Sequence, residues 1–576
     1  MKIAIAHTAG FCMGVRRAVE MVLETSGKHD GPIYTFGPLI HNPQVLDLLA
    51  EKGIQTLTDI PPSGEGTLLI RAHGVPPRQK AALTQAGFTV LDATCPRVIR
   101  VQIIIKKHAA RGYAAIIVGN GDHPEVIGLR GYAGCNGHVV ATLDELKALP
   151  VFDRAIIVSQ TTQNQGLYQE IKQWTAAHHP HYKMFDTICH STSRRQTEVK
   201  RLARTSDAIV VVGGRTSGNT RRLTEIVQET GKPVFQIESE AELDPMDFES
   251  LGRVGITAGA STPNWVLKRV FRTLEKASIT KGRAWRRAFF TLRRALLLTN
   301  IYVAIGAGCL GLACAALQGL TGHFPMVLVT MLYVFSMHIL NNLIGSKADR
   351  FNDPGRAHFY RKYKIPLVLL ALAAGSYGLV TAATMGRLPF TVLLVMSLLG
   401  LSYKLPILPT AFSGGRYKSI RDIPGSKTVL IAMAWGVVTA VFPAMVRFHG
   451  IHPATVVVFC WSTALVFVRT AYFDILDMQG DRIVGRETIP LLFGEQKTLR
   501  FLKWILIISP LVLILSAASS LVTPLAVALS ICPLFLFLVI FFHQEGHMLP
   551  GIRLEFLVES GFILAGLLTL VWMLAS

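Results

Sequence analysis

Ala114-Ala115-Ile116-Ile117-Val118, followed by Gly119-Asn120-Gly121-Asp122-His123-Pro124-Glu125, sets an unbroken apolar run against a glycine-rich turn and three ionisable side chains. Five apolar residues in a row suit a parallel strand covered on both faces, and the Gly-Asn-Gly turn suits the reversal that precedes a helix. The same grammar recurs at Ala155 to Val158 and Ala208 to Val212, each leading into Gly, Ser or Thr turns and then a helical pattern. Strands and helices in alternation predict α/β layers, and open parallel sheets bind ligands where the strands run out into loops. The unusual residues of this half stand in those loops.

Outward from this stretch the composition changes. The chain has 576 residues, half of them apolar and only 16% charged, which is too long for one core and too apolar for an ordinary soluble enzyme. Up to about Lys281 polar and apolar segments alternate. Beyond Leu296 apolar stretches of membrane-spanning length recur, about nine in all: 295–318, 324–345, 365–386, 388–405, 426–446, 452–475, 500–522, 525–543 and 553–574. The expected organisation is a soluble α/β domain over 1–277, a basic linker over 278–294 and an all-α membrane domain over 295–576.

The formal charge of +21 comes with no base-stacking aromatic pattern, so nucleic acid is not an expected partner. Lys281, Arg283, Arg286, Arg287, Arg293 and Arg294 cluster before the first span, and the loops after the second, fourth and sixth spans are rich in Arg and Lys. By the positive-inside rule this predicts a multi-pass protein in the lipid bilayer with its soluble half in the cytoplasm. Ala6 to Glu24 is too polar for the apolar core of a signal peptide. The eight cysteines, four of them (Cys309, Cys314, Cys460, Cys532) inside apolar spans, suit a reducing compartment rather than a disulfide framework.

Cys12, Cys95 and Cys189 stand in Gly10-Phe11-Cys12-Met13-Gly14, Ala93-Thr94-Cys95-Pro96 and Thr187-Ile188-Cys189-His190. Their wide, similar separations suggest three related modules, each lending one thiolate to a common centre; the short paired spacing of a structural zinc site is absent. Three thiolates on a [4Fe-4S] cluster would leave one iron open to act as a Lewis acid toward a hydroxyl. On spacing alone, three buried structural cysteines is the better reading. Their surroundings reverse it: His41 beside Asn42, His73 in Arg71-Ala72-His73-Gly74, and His123 with Glu125 all occupy Gly- or Pro-marked loops. With Ser217, Asn219 and Ser261, three imidazoles suit a diphosphate.

Together these segments, with Gly37-Pro38-Leu39-Ile40-His41-Asn42, Ser159-Gln160-Thr161-Thr162 and Thr257-Ala258-Gly259-Ala260-Ser261-Thr262-Pro263, resemble the 4-hydroxy-3-methylbut-2-enyl diphosphate reductases over about residues 1–277. The resemblance implies that Cys12, Cys95 and Cys189 hold a [4Fe-4S] cluster. It also implies that His41, His73, His123, Ser217, Asn219 and Ser261 bind the allylic diphosphate, that Glu125 delivers protons with Thr161, and that a ferredoxin or flavodoxin type protein donates electrons. Gly218 stands where the family usually has serine; one hydroxyl is lost, while the backbone N–H and close approach remain. His190 replaces a commoner aromatic residue.

In the membrane half, Tyr472-Phe473-Asp474-Ile475-Leu476-Asp477-Met478-Gln479-Gly480-Asp481-Arg482 closes the sixth span. Spacings of three and four place Asp474, Asp477 and Asp481 on one helical face, where carboxylates can hold Mg2+ against a diphosphate; a solvated helix end is the plainer alternative. This segment, with Gly485, Thr488, Pro490 and the loop Arg421 to Lys427, resembles the second Asp-rich motif of the UbiA superfamily over about residues 285–576. That implies transfer of a prenyl chain from its diphosphate to a lipophilic acceptor. In the stretch matching the first motif, Asn341 to Asp349, Asn342 and Gly345 replace expected carboxylates and Lys347 adds a positive charge, leaving Asp349. A non-catalytic anchor or prenyl-lipid binding module is therefore the competing reading.

Overall fold

Ala114–Val118 and Ala155–Ser159 form neighbouring parallel strands, buried throughout, whose alternating side chains divide between two cores. Ala115, Ile117, Ile156 and Val158 pack with Val98, Val101, Ile105, Val126 and Leu129. Ala114, Ile116, Val118, Ala155 and Ile157 pack with Tyr168 and Ile171 on the other face. Burying a Val or Ile side chain contributes about 1.5–3 kcal/mol, and the one polar side chain in these two strands, the buried Ser159 at the end of the second, is hydrogen-bonded to Thr187.

The computed structural model describes residues 1–28, 31–248, 250–280, 284–320, 323–343, 352–403, 419–420, 423–448, 450–484, 487–545 and 551–575. It separates into two units, Met1–Lys281 and Gly282–Ser576. The strands of the first are β1 (Lys2–Ile5), β2 (Ile33–Phe36), β3 (Gln55–Leu57), β4 (Thr67–Ile70), β5 (Thr89–Asp92), β6 (Ala114–Val118), β7 (Gly137–Val140), β8 (Ala155–Ser159), β9 (Lys183–Met184), β10 (Ala208–Val212), β11 (Val234–Ile237) and β12 (Arg253–Ala258). They make three four-stranded sheets, ordered β1-β12-β10-β11, β3-β2-β4-β5 and β7-β6-β8-β9, with parallel neighbours throughout.

The three orders are one order. Each sheet reads second-first-third-fourth, provided that β1 is taken as the fourth strand of a module whose other three are β10, β11 and β12. The chain therefore begins inside the module it later completes. Cys12, Cys95 and Cys189 follow the three fourth strands, β1, β5 and β9, and so occupy equivalent edges.

The second unit is helical. Among the described residues seven helices are long and apolar enough to cross a bilayer: Phe324–Leu343, Lys364–Thr384, Ser426–Phe448, Pro453–Met478, Glu495–Ala518, Leu525–Gln544 and Ile552–Ala575. The expectation of about nine spans needs correcting at two places. The stretch assigned to 295–318 is a pair, Arg287–Leu298 and Ile301–Leu317, bent by 73°. Asn300 at the break is left-handed (φ 57°), a conformation Asn tolerates better than most residues, and its amide donates to the Tyr360 hydroxyl at 2.5 Å. The segment expected over 388–405 is the 16-residue helix Arg387–Ser402; at 1.5 Å per residue it falls short of a hydrocarbon layer about 30 Å thick.

Candidate functional site

Each of the three cysteines sits where a strand has ended and a helix begins. Cys95 and Cys189 are the N-caps of the helices Pro96–Ala109 and His190–Arg204, and Cys12 directly precedes Met13–Lys28. Exposed N–H groups at a helix start favour a thiolate: Val15 N–H points at Cys12 Sγ at 3.5 Å, and the N–H groups of Arg97 and Val98 serve Cys95. Burial nevertheless raises the Cys95 pKa, and the neighbouring charges of Cys12 and Cys189 push the same way. The loops are tightly packed, because a Cβ on Gly14 would lie 2.4 Å from Cys95 Sγ.

The donor set suits an iron-sulfur cluster. Three thiols held close enough to repel one another as thiolates call for a cationic centre; of the other five cysteines, Cys135 is exposed in a surface turn and four belong to the helical unit.

The histidines converge from three further loops. His41 follows β2, His73 follows β4 and His123 follows β6. Their ring centroids lie 4.6 Å (His41–His73), 5.8 Å (His41–His123) and 5.4 Å (His73–His123) apart. Glu125 N–H donates to His123 Nδ1 at 3.1 Å, which leaves the His123 proton on Nε2, the nitrogen facing the Gly218 position. Burial lowers all three pKa values, His123 to about 4, with Arg71 adding to the effect on each and Arg221 on His41 and His123. The rings are thus neutral at physiological pH.

Three ring nitrogens within 4.8 Å of one another could also seat a metal ion, but two arginines close by make the pocket one for an anion. His41 Nε2, His73 Nδ1 and Asn219 Nδ2 are buried without a hydrogen-bond partner. Buried polar groups are rarely left so, and three around one pocket mark where a polar ligand is received.

The remaining expected residues enclose the same place. Ser217 caps the helix Gly218–Gln228 through Thr220 N–H at 3.4 Å. Ser261, after β12, donates to the His41 carbonyl at 2.9 Å and so ties the first module to the second. Glu125 is buried, and its carboxylate accepts Thr161 N–H at 2.7 Å and Thr161 Oγ1 at 2.8 Å. Burial outweighs both bonds and raises its pKa to about 7, poising it to give up a proton near neutrality.

Arg195 escaped the sequence reading. It is buried, and it donates to the carbonyls of Ala258 at 3.0 Å and Gly10 at 2.6 Å, joining the loops after β12 and β1. Burial lowers its pKa, opposed by the charges of Cys12, Glu198 and Cys189. A signal existed: Thr192, Arg195, Gln196, Val199, Leu202 and Ala203 form the buried stripe of their helix, and an arginine on such a stripe has a task.

In the second unit Pro453–Ile483 is one continuous helix, so Asp474, Asp477 and Asp481 lie along one face of it. Asp474 accepts from Thr428 Oγ1 and from Lys427 Nζ at 3.3 Å. Asp481 accepts from Asn352 Nδ2 at 3.3 Å. Asn342 donates to the Tyr360 hydroxyl at 3.3 Å. Gly345, Lys347, Asp349, Arg421 and Gly485 lie outside the described residues. Deeper in the same helix, Arg469 pairs with Glu559 through two hydrogen bonds, one of them 2.9 Å, an ion pair the sequence reading also missed.

Comparison with known proteins agrees with both halves. The family described as LytB protein matches residues 3–275, and the UbiA prenyltransferase family matches residues 290–548. The 4-hydroxy-3-methylbut-2-enyl diphosphate reductase of Pelobacter propionicus is 41% identical over 270 residues, covering 47% of this chain and 96% of that protein. That of Aquifex aeolicus is 42% identical over 276 residues, covering 46% and 94%. A UbiA homologue from Archaeoglobus fulgidus, solved with GPP and Mg2+, aligns at 15% identity over 48% of this chain and 99% of its own, with a TM-score of 0.35. The chain thus belongs to the 4-hydroxy-3-methylbut-2-enyl diphosphate reductase (LytB) family over residues 3–275 and carries a UbiA prenyltransferase family domain behind it.

Proposed function

We propose that the first unit reductively dehydroxylates 4-hydroxy-3-methylbut-2-enyl diphosphate to isopentenyl and dimethylallyl diphosphate. The reaction consumes two electrons and two protons, breaks the allylic C–O bond, forms a C–H bond and releases water. The observation that carries the reading is the Glu125 carboxyl, its pKa near 7, set beside an anion pocket with unpartnered donors.

In this reading His41, His73, His123, Ser217, Asn219 and Ser261, with the backbone N–H of Gly218, bind the diphosphate. Neutral imidazoles offer it N–H donors, and its charge draws support from Arg71 and Arg221. Cys12, Cys95 and Cys189 would hold a [4Fe-4S] cluster, which supplies one-electron steps and an open Lewis-acidic iron. Glu125 passes its proton through Thr161 Oγ1, so that the departing oxygen leaves as water rather than hydroxide. Arg195 positions the Cys12 and Cys189 loops. The soluble unit works on the cytoplasmic side.

The second unit is embedded in the membrane and is proposed to transfer a prenyl group from a prenyl diphosphate to a lipophilic acceptor. Asp474, Asp477, Asp481 and Asp349 would hold Mg2+ against the diphosphate. Anchoring alone would not require a continuous acidic helix face with Lys427 drawn up to it.

The test is anaerobic turnover by the reconstituted full chain with a strong chemical reductant. Both C5 diphosphates should form, and Glu125→Gln should slow their formation about 10²–10⁴-fold while the cluster still assembles. A correctly assembled cluster without turnover in the unaltered chain refutes the reductase. For the membrane unit, prenyl transfer that Asp477→Asn leaves intact refutes the carboxylate role.

A further inference from the structure

The proposed reduction needs electrons that no residue of this chain supplies. One surface feature lies beside the thiols that would receive them. A cleft of about 230 Å³ is lined by Arg97, Arg100, Gln169, Asp186, His190 and Ser193, among others, from the helices Pro96–Ala109, Gln165–His178 and His190–Arg204 and the loop before the last. Arg97 is two residues from Cys95, and His190 adjoins Cys189. The cleft therefore opens at the two helix starts that present those thiols.

Its size and charge limit what it can take. Small-molecule cofactors occupy roughly 300–1,000 Å³, so the cleft is too small for a flavin or nicotinamide and suits one or two side chains of a partner. Helix starts ordinarily attract acidic residues, yet the first turns of Pro96–Ala109 and His190–Arg204 carry none. Among the described residues neither Arg97 nor Arg100 forms an ion pair. Arg100, Gln169 and His190 are exposed. Lys172 and Arg194, also exposed, stand one turn beyond Gln169 and His190 on the same helix faces. The opposing charges are Asp186 in the cleft and Glu170 beside Gln169.

We infer that this cleft docks an acidic one-electron carrier protein, whose carboxylates meet Arg97, Arg100 and His190. The inference rests on the iron-sulfur reading of Cys12, Cys95 and Cys189. Each docking oxidises the carrier by one electron and reduces the thiolate-held centre by one, so two dockings serve each substrate. Complementary charge steers the encounter, and a misplaced like charge opposes it.

The test uses the reconstituted full chain in detergent with a small acidic [2Fe-2S] ferredoxin as probe. Ferredoxin binding is measured at low and high salt, and the rate of reduction of the centre is followed by absorbance without substrate, with ferredoxin or with dithionite. Arg100→Glu and Gln169→Glu should each weaken binding and slow reduction by ferredoxin about tenfold or more. Arg100→Lys should stay within about twofold of the unaltered chain, salt should weaken binding, and dithionite should reduce every variant equally. Ferredoxin that binds and reduces all variants alike, while dithionite supports turnover, overturns the docking site alone. Charge-dependent ferredoxin binding by a chain that never turns over overturns the reductase reading alone.

Discussion

The two units hold the polar groups of their candidate sites differently, although each keeps some buried polar atoms open: Glu559 Oε2 and Trp461 Nε1 in the second also lack a hydrogen-bond partner. In the soluble unit, His41 Nε2, His73 Nδ1 and Asn219 Nδ2 are buried with nothing to bond. In the membrane unit, Asp474 is held by Thr428 and Lys427, Asp481 by Asn352, and Arg469 by Glu559. The difference follows from when a partner arrives. An open polar atom in a ligand pocket is satisfied by the ligand, whereas a charge buried within an apolar helical bundle needs a protein partner at all times. A diphosphate entering the first site meets a preorganised set of donors. In the second, on the proposed reading, Mg2+ would have to compete with Lys427, Thr428 and Asn352 for the carboxylates before a diphosphate is held.

The largest expected effect tests the first half of this comparison. Glu125→Gln keeps the shape and can still accept from Thr161 N–H, with its NH2 now donating to Thr161 Oγ1, but it removes the acid, so kcat should fall about 10²–10⁴-fold with KM little changed. A rise in KM at unchanged kcat would place Glu125 in binding instead. Next comes the membrane unit's internal pairing: Arg469→Ala leaves Glu559 buried and uncompensated and should cost about 3–5 kcal/mol, read as a lower Tm in detergent. The double change Arg469→Met with Glu559→Leu should recover most of that loss; if it does not, the pair is not what Arg469→Ala disturbed.

The pH dependence separates the units further. Glu125 has a pKa of about 7, above the ordinary carboxylate range. Turnover that needs its proton should therefore fall about tenfold per pH unit above 7, a limb absent from the residual activity of Glu125→Gln. The same raised pKa makes a stability statement. Its contribution is fully present below the ordinary carboxylate range and is lost as pH rises through about 7, so the pH dependence of Tm should flatten in Glu125→Gln.

The smallest effect concerns the missing hydroxyl. A Cβ at Gly218 would lie 3.6 Å from His123 Nε2, in ordinary contact, so Gly218→Ser fits without strain. One added hydrogen bond contributes about 0.5–1.5 kcal/mol, and KM for the diphosphate should fall several-fold. An unchanged KM would mean that the backbone N–H already does all that this position can.

Much of this site was legible because its parts are local. The run Ala114 to Val118, the turn after it and the His123–Glu125 pair are contiguous, and each cysteine lies at a strand-to-helix junction whose residues announce it. The apolar spans were legible for the same reason, since hydropathy is a property of a window. Local composition was a poorer guide to geometry: the 73° break at Asn300 lies within a stretch that reads as one span, because a left-handed residue bonded to Tyr360 turns the chain there.

What the sequence by itself determined is which residue types stand at the ends of which elements, because propensity, periodicity and motif chemistry act over a few neighbours. Only the tertiary structure decided that β1 completes a module begun at β10, that Ser261 meets His41 across 220 residues, that Arg195 ties the loops after β1 and β12, and that Arg469 finds Glu559 90 residues away. These contacts depend on how whole sheets and helices close upon one another; a local pattern can mark a residue such as Arg195 as having a task, but it does not name the distant partner.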